Sequence, residues 1–137
     1  MVMKALGRHL LVDLYDCNGS LLDDVEYIRE HMLKSALAAN STIINSTFHH
    51  FSPWGISGVV VIAESNITIH TWPEYGYAAI DVFTCGNEGD PWKAFEYLRD
   101  ALESKRNHVK EEKRGLLPAR PCAWREPQFI ERDERNH

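Results

Sequence analysis

The chain has 137 residues, of which 44% are hydrophobic and 26% charged, and its formal net charge is −5. This length and balance fit one globular domain with a modest core, and the acidic charge argues against the basic face that nucleic-acid binding requires. No apolar run is long enough to span a bilayer and no signal peptide is evident, so we expect no membrane partner. Three widely spaced cysteines are typical of a reduced chain, which predicts a cytoplasmic location.

The hydrophobic pattern predicts eight elements in the order β-α-β-β-β-β-α-β. Period-two alternation and β-branched or aromatic runs predict the six strands, at residues 8–15, 42–51, 56–63, 67–71, 77–84 and 107–111. Helical spacing predicts the two helices, at residues 23–39 and from 91 to about 105. Consecutive strands with short connections favour an α+β fold, a two-layer sandwich in which an antiparallel sheet has two helices packed on one face.

The last part of the chain shows no periodicity. We predict one domain over residues 1–115, and the proline and charge content of residues 116–137 predicts a flexible C-terminal tail.

The segment from residue 64 to residue 86 reads ESNITIHTWPEYGYAAIDVFTCG and is the most informative part of the chain. A Glu-Ser pair ends an apolar run, His70 follows five residues after Ser65, and Cys85 closes a second apolar strand. Further matches are GRH at 7–9, FHHF at 48–51 and DPWKAF at 90–95. Together these motifs resemble the signature of the small bacterial and archaeal S-adenosylmethionine decarboxylases.

The resemblance implies that the chain is a proenzyme that cuts itself between Glu64 and Ser65. The products would be a β chain of residues 1–64 and an α chain of residues 65–137, in which Ser65 has become the covalent pyruvoyl cofactor that forms the Schiff base with substrate. His70 matches the proton acceptor of this processing, and Ser57 matches a serine that assists it. A base near the α-proton is what the elimination step requires.

The resemblance also implies a set of residues for the decarboxylation itself. Cys85 matches the proton donor, a task that suits a thiol because its pKa is easily tuned. Phe51 matches a phenylalanine that stacks on adenine, with His70 beside the ring, and an aromatic face also attracts the sulfonium charge. Glu74 matches the carboxylate that accepts hydrogen bonds from the ribose hydroxyls.

Each of these residues also has a structural interpretation. Ser65 is a polar residue where a strand meets a turn, Cys85 a small buried hydrophobe, and Phe51 a core side chain. His70 belongs to a polar strand face, Ser57 to a tight turn and Glu74 to a solvated loop. No metal is expected, since no cysteine or histidine partner has zinc-like spacing.

The resemblance therefore implies conversion of S-adenosylmethionine to its decarboxylated form, the aminopropyl donor for spermidine synthesis, by a homodimer of αβ units with sites near the interface. Asn66 and Asp13 depart from residues frequent in the family, which leaves pyruvoyl-dependent arginine or ornithine decarboxylation as the alternative. Two other classes stay open: a catalytically inactive relative that regulates a partner, and a simple ligand-binding domain.

Overall fold

The computed structural model describes residues 3–85 and 89–118, and within them the chain forms one six-stranded sheet with helices on one face. Every neighbouring pair of strands is antiparallel, and the strand order is β2-β3-β4-β5-β1-β6. The strands are β1 Met3–Tyr15, β2 Ile43–His50, β3 Ile56–Ile62, β4 Ser65–Trp72, β5 Tyr77–Cys85 and β6 Arg106–Pro118. The helices are α1 Gly19–Leu22, α2 Val25–Ala38 and α3 Pro91–Ala101. The predicted α+β class with an antiparallel sheet is thus confirmed.

Side-chain caps fix where the helices begin. Asp24 accepts a hydrogen bond from the Tyr27 amide ahead of α2, and Asp90 accepts one from the Trp92 amide ahead of α3, with Pro91 in the first position as the sequence predicted. Asn18 caps the short helix α1, which the sequence did not predict because one turn leaves no periodic signal.

The core lies between the helices and one face of the sheet. Alternate strand residues point into it, so that β5 shows strict alternation of buried and half-buried positions. The fully buried large side chains come from both layers and include Leu10, Leu14, Ile67, Ile69 and Ile80 from the sheet and Ile28, Met32 and Leu98 from the helices. The opposite sheet face, called the open face below, carries the residues that alternate with these, most of them polar or aromatic.

Strands β1 and β6 are both longer than predicted. They pair along their whole length, from Met3 opposite Pro118 to Tyr15 opposite Arg106. Strand β6 is at the edge of the sheet, and its charged exposed residues hide the hydrophobic alternation. It runs past Gly115, where the predicted tail begins; residues 119–137 lie outside the described residues.

Helix α3 is shorter than predicted, because Glu103 adopts a left-handed backbone conformation (φ 59°) just after it. No helix within residues 3–85 and 89–118 combines the length and the hydropathy needed to cross a membrane.

Candidate active site

The predicted scissile bond lies in the tight turn between β3 and β4. Ile62 and Ser65 are register partners, so only Ala63 and Glu64 connect the two strands. Glu64 adopts the left-handed region with φ 69°, which is uncommon for a residue with a side chain and costs about 1 kcal/mol or more. The carbonyl that the resemblance assigns to cleavage therefore belongs to the residue that carries the strain of this turn.

The hydroxyl and the thiol predicted for catalysis both bond near this turn. Ser65 Oγ donates a hydrogen bond to the Phe83 carbonyl oxygen on the neighbouring strand β5. The Cys85 thiol donates to the Glu64 carbonyl oxygen over 2.8 Å, and a donor at that oxygen polarises the carbonyl carbon towards nucleophilic attack. Glu64, Ser65 and Cys85 thus come together at one end of the sheet, a group we call the cleavage end.

A small cavity of about 60 Å³ lies beside the cleavage end, with Ile62, Ala63, Thr84 and Cys85 in its wall. Thr84 is 2% exposed, and its Oγ1 has no hydrogen-bond partner within residues 3–85 and 89–118. A cavity of this volume with a polar wall is large enough to hold a water molecule.

The second group of predicted residues lies at the other end of β4. Ser57 and His70 are opposite each other in the β3–β4 register, and Ser57 Oγ and His70 Nδ1 share a hydrogen bond of 2.8 Å. Ser57 is the second residue of β3, so it lies in a strand and not in a turn. Both side chains are on the open face, because they alternate with the buried Ile56 and Ile69.

A cavity of about 310 Å³ adjoins this pair, and its wall includes Phe51, Trp54, Ser57, His70 and Glu74. The Phe51 side chain is 47% exposed and contacts His49 edge to face, with ring centroids 4.5 Å apart. The core-packing interpretation of Phe51 is therefore wrong. A volume of this order falls in the range of small-molecule sites, and we call this region the pocket end.

The two ends are separated within one chain. Ser65 and His70 are five residues apart on β4, which is about 16 Å of extended strand. Their side chains also leave the sheet on opposite faces, since Ser65 has the parity of the buried Ile67 and Ile69. One protomer alone does not bring the predicted base to the predicted scissile bond.

Further polar residues occupy the open face between the two ends. His9 Nε2 donates to Asp81 Oδ1 over 3.0 Å, and Thr68 Oγ1 donates to Asp81 Oδ2 over 3.3 Å. Alternation on the predicted strands could have placed each of them on this face, but only the register of β1, β4 and β5 shows that they meet.

The remaining residues singled out in the sequence have separate surroundings. Asp13 accepts a hydrogen bond of 2.5 Å from the Tyr77 hydroxyl, and burial together with this carboxylate raises the pKa of Tyr77. Burial raises the pKa of the Cys17 thiol to about 11, which leaves it un-ionised at neutral pH. Cys122 lies outside the described residues, and Asn66 directly follows Ser65 on β4.

Comparison with known proteins gives consistent results. Residues 8–115 match the family model described as S-adenosylmethionine decarboxylase. A protein of Thermotoga maritima named S-adenosylmethionine decarboxylase proenzyme is 59% identical over 113 residues, which is 82% of this chain and 87% of that protein. A protein of the same name from Acidithiobacillus ferrooxidans is 51% identical over 115 residues, 84% of this chain and 86% of the relative.

A solved structure supports the same relationship. The adenosylmethionine decarboxylase from Aquifex aeolicus VF5 superposes with a TM-score of 0.81 at 40% sequence identity, and the match covers 88% of this chain and 99% of that chain.

Proposed function

Because the chain belongs to the S-adenosylmethionine decarboxylase family, we propose that it is a self-cleaving proenzyme whose processed form decarboxylates S-adenosylmethionine. The predicted family and the predicted enzyme class, a carboxy-lyase of polyamine biosynthesis, are confirmed by these relatives. The cofactor, the roles of individual residues and the dimer are the substance of the proposal.

The observation that carries the proposal is the arrangement at the cleavage end. The Cys85 thiol bonds the carbonyl of a strained residue, Glu64, and the hydroxyl of the next residue, Ser65, is adjacent. In the proposed cleavage Ser65 Oγ adds to the Glu64 carbonyl carbon and the bond to the Ser65 nitrogen breaks, which leaves an ester. A base then takes the Cα proton of residue 65, the Cβ–Oγ bond breaks, and Glu64 leaves as a carboxylate.

One water molecule and the loss of ammonia complete the balance and leave a pyruvoyl group at residue 65. The cavity with Thr84 and Cys85 in its wall offers this water a position at the cleavage end. The pyruvoyl group supplies the electron sink that decarboxylation of an amino acid needs and that ordinary side chains lack. Cys85 is the proposed proton donor, since its side chain already lies at this end of the sheet.

The pocket end supports S-adenosylmethionine as the substrate. Phe51 offers an exposed aromatic face and Glu74 a carboxylate in the same cavity, which fits an adenine, a ribose diol and a sulfonium charge. Arginine and ornithine are smaller and have no nucleobase that could stack on an aromatic side chain. The names of the relatives described above also support S-adenosylmethionine as the substrate.

We propose that the working enzyme is a homodimer in which each site combines the cleavage end of one protomer with the pocket end of the other. The separation of Ser65 from His70 within one chain supports this arrangement, because the base must come within hydrogen-bond distance of the proton it removes. The open face offers a surface for pairing, with Leu11 and Trp72 each 40% exposed. We also propose a cytoplasmic location, since a reducing compartment keeps the Cys85 thiol available.

Intact mass and labelled carbon dioxide release test the proposal together. Freshly purified protein should give two chains that separate at the Glu64–Ser65 bond, with a ketone at the start of the second, and should release labelled carbon dioxide from carboxyl-labelled S-adenosylmethionine. An uncut chain without activity would favour a simple binding domain, and a cut chain without activity an inactive relative. Activity on arginine or ornithine alone would overturn the substrate.

A further inference from the structure

The proposed substrate cavity depends on a loop that has no regular structure of its own. Residues 51–55 connect β2 to β3 and carry four residues of the cavity wall, among them the aromatic Phe51 and Trp54. Within the loop the Phe51 amide donates to the Gly55 carbonyl over 2.7 Å, and this hydrogen bond joins the first and last residues of the loop. Since Phe51 and Trp54 are about half exposed, packing alone does not fix where the loop lies against the sheet.

A single carboxylate oxygen binds both stems of this loop. Asp23 Oδ1 accepts a hydrogen bond of 2.8 Å from His50 Nε2, at the end of β2, and one of 2.9 Å from the Gly55 amide, just before β3. Asp23 lies between α1 and α2, so the loop is tied to the helical layer and not only to its own hairpin. These bonds, the Gly55 amide first, hold the pKa of the Asp23 carboxyl below its usual range, and the group accepts as a carboxylate.

A second tie lies directly beside the first. The buried hydroxyl of Thr71 accepts from the Ile56 amide over 2.9 Å and donates to the Leu22 carbonyl over 2.8 Å. Leu22 and Asp23, the two residues before Asp24, therefore hold two consecutive amides. Asp23 binds the Gly55 amide directly, and Leu22 holds the Ile56 amide through Thr71. The next residue on this edge of the cavity is Ser57, the partner of His70.

We propose that Asp23 is a positioning residue that, by anchoring loop 51–55 to the junction of α1 and α2, sets how tightly the enzyme binds the nucleoside part of its substrate. Asp23 acts through the loop and is not itself in the wall of the 310 Å³ cavity. This role rests on the proposed function, because the substrate assigned to that cavity is part of the proposed function. The hydrogen bonds of Asp23 are tested by a separate measurement.

The neighbouring residue Asp24 provides a matched control. Its carboxylate caps α2 through the Tyr27 amide and makes no bond to the loop among those found in residues 3–85 and 89–118. Asp23→Ala and Asp24→Ala each remove one carboxylate that accepts backbone hydrogen bonds at the same helix junction, and both should lower the melting temperature. Only Asp23→Ala should loosen the loop.

The first measurement does not use activity. Amide hydrogen exchange of the full-length protein should show faster exchange at Gly55 in Asp23→Ala than in the wild type, with no change at Gly55 in Asp24→Ala. Asp23→Asn should keep most of the protection, since its amide oxygen still accepts from Gly55. Unchanged exchange at Gly55 in Asp23→Ala overturns the anchor.

The second measurement uses carbon dioxide release from S-adenosylmethionine by the cleaved enzyme. Asp23→Ala should raise KM about tenfold with kcat little changed, because a displaced loop weakens binding more than the chemistry. Asp23→Asn should restore KM towards the wild-type value, and Asp24→Ala should leave it unaltered.

The outcomes separate the two proposals. An equal KM in Asp23→Ala and Asp24→Ala, with an active wild type, overturns the role of Asp23 and leaves the proposed function intact. A wild type that does not act on S-adenosylmethionine overturns the proposed function, and amide exchange at Gly55 then still decides whether Asp23 anchors the loop.

Discussion

The cleavage end and the pocket end of β4 are built in different ways. At the cleavage end, reactive atoms belong to one hairpin turn and the strand beside it, and backbone carbonyls of Glu64 and Phe83 accept the bonds of Cys85 and Ser65. At the pocket end, the 51–55 loop, β3, β4 and the 3-10 turn Pro73–Tyr75 form the wall of the cavity, and side chains hold these elements together.

This difference separates two requirements. Self-cleavage needs one strained carbonyl and one hydroxyl at a fixed short distance, which adjacent residues in a tight turn supply. Recognition of a nucleoside needs groups spread over the length of the ligand, which only several elements can supply. Changes at Ser65 or Cys85 should therefore abolish a reaction, as should loss of the base His70, whereas changes at Phe51 or Glu74 should weaken binding.

The largest effect is expected from Ser65→Ala. Without the hydroxyl there is no nucleophile and no source of the ketone, so the chain should stay intact and release no carbon dioxide. Intact mass and the radiometric assay check this. Glu74→Gln, at the pocket end, is the control and should still be cleaved. Cleavage of a Ser65→Ala chain would contradict the assignment of the nucleophile to the cleavage end.

Mixed dimers sharpen the comparison by asking which end comes from which chain. Co-expression of Ser65→Ala with His70→Ala should restore about a quarter of the wild-type carbon dioxide release, since about half of the dimers are mixed and each has one complete site. Co-expression of Ser65→Ala with Cys85→Ala should restore none, because these two residues belong to the same end of one protomer. Failure of the first pair to complement would show that the site is not shared between protomers.

A smaller effect is expected from changes at the pocket end. Glu74→Gln should lower kcat/KM for S-adenosylmethionine roughly tenfold by weakening charge-assisted hydrogen bonds, and Phe51→Ala should raise KM by loss of stacking. Both variants should be cleaved at the wild-type rate in a time course followed by mass. Slower cleavage with an unaltered KM would reverse the roles assigned to the two ends.

The smallest effect on activity is expected at Glu111, on the edge strand β6, which belongs to neither end. Its carboxylate accepts from Arg8 over 2.8 Å and from the Trp92 indole over 2.8 Å, and these bonds, Arg8 first, lower its pKa to about 2. A carboxyl group whose pKa is lowered on folding stabilises the fold above its unfolded pKa, about 4.5, and loses this contribution as the pH falls towards 2.

Glu111→Gln should therefore reduce the free energy of unfolding by about 2 kcal/mol at pH 7, and the difference from the wild type should shrink below pH 4.5. Urea unfolding at several pH values measures this, and kcat and KM at neutral pH should stay unaltered. A stability difference that does not depend on pH would show that the charge of Glu111 is not its source.

Much of the fold was predictable because most of the strands show a clear hydrophobic pattern in the sequence. Buried positions recur at every second residue along most of β4 and β5, and β-branched residues predominate in β3, so the number and order of these strands follow from the sequence. Strand β6 does not show this alternation, because it lies at the sheet edge and its charged residues face solvent and not the core. Asp23 looked like a residue of the helix start, and only the folded hairpin shows that it bonds the Gly55 amide.

What the sequence determined by itself is chemical and local. The order of Glu64, Ser65, His70 and Cys85 resembles the signature of the family, and this resemblance indicated the family and the reaction class. The tertiary structure decided which of these residues meet. Strand register placed Cys85 on the Glu64 carbonyl and Ser57 on His70, while extended backbone and alternating faces kept Ser65 and His70 apart, and no local pattern encodes a distance between strands.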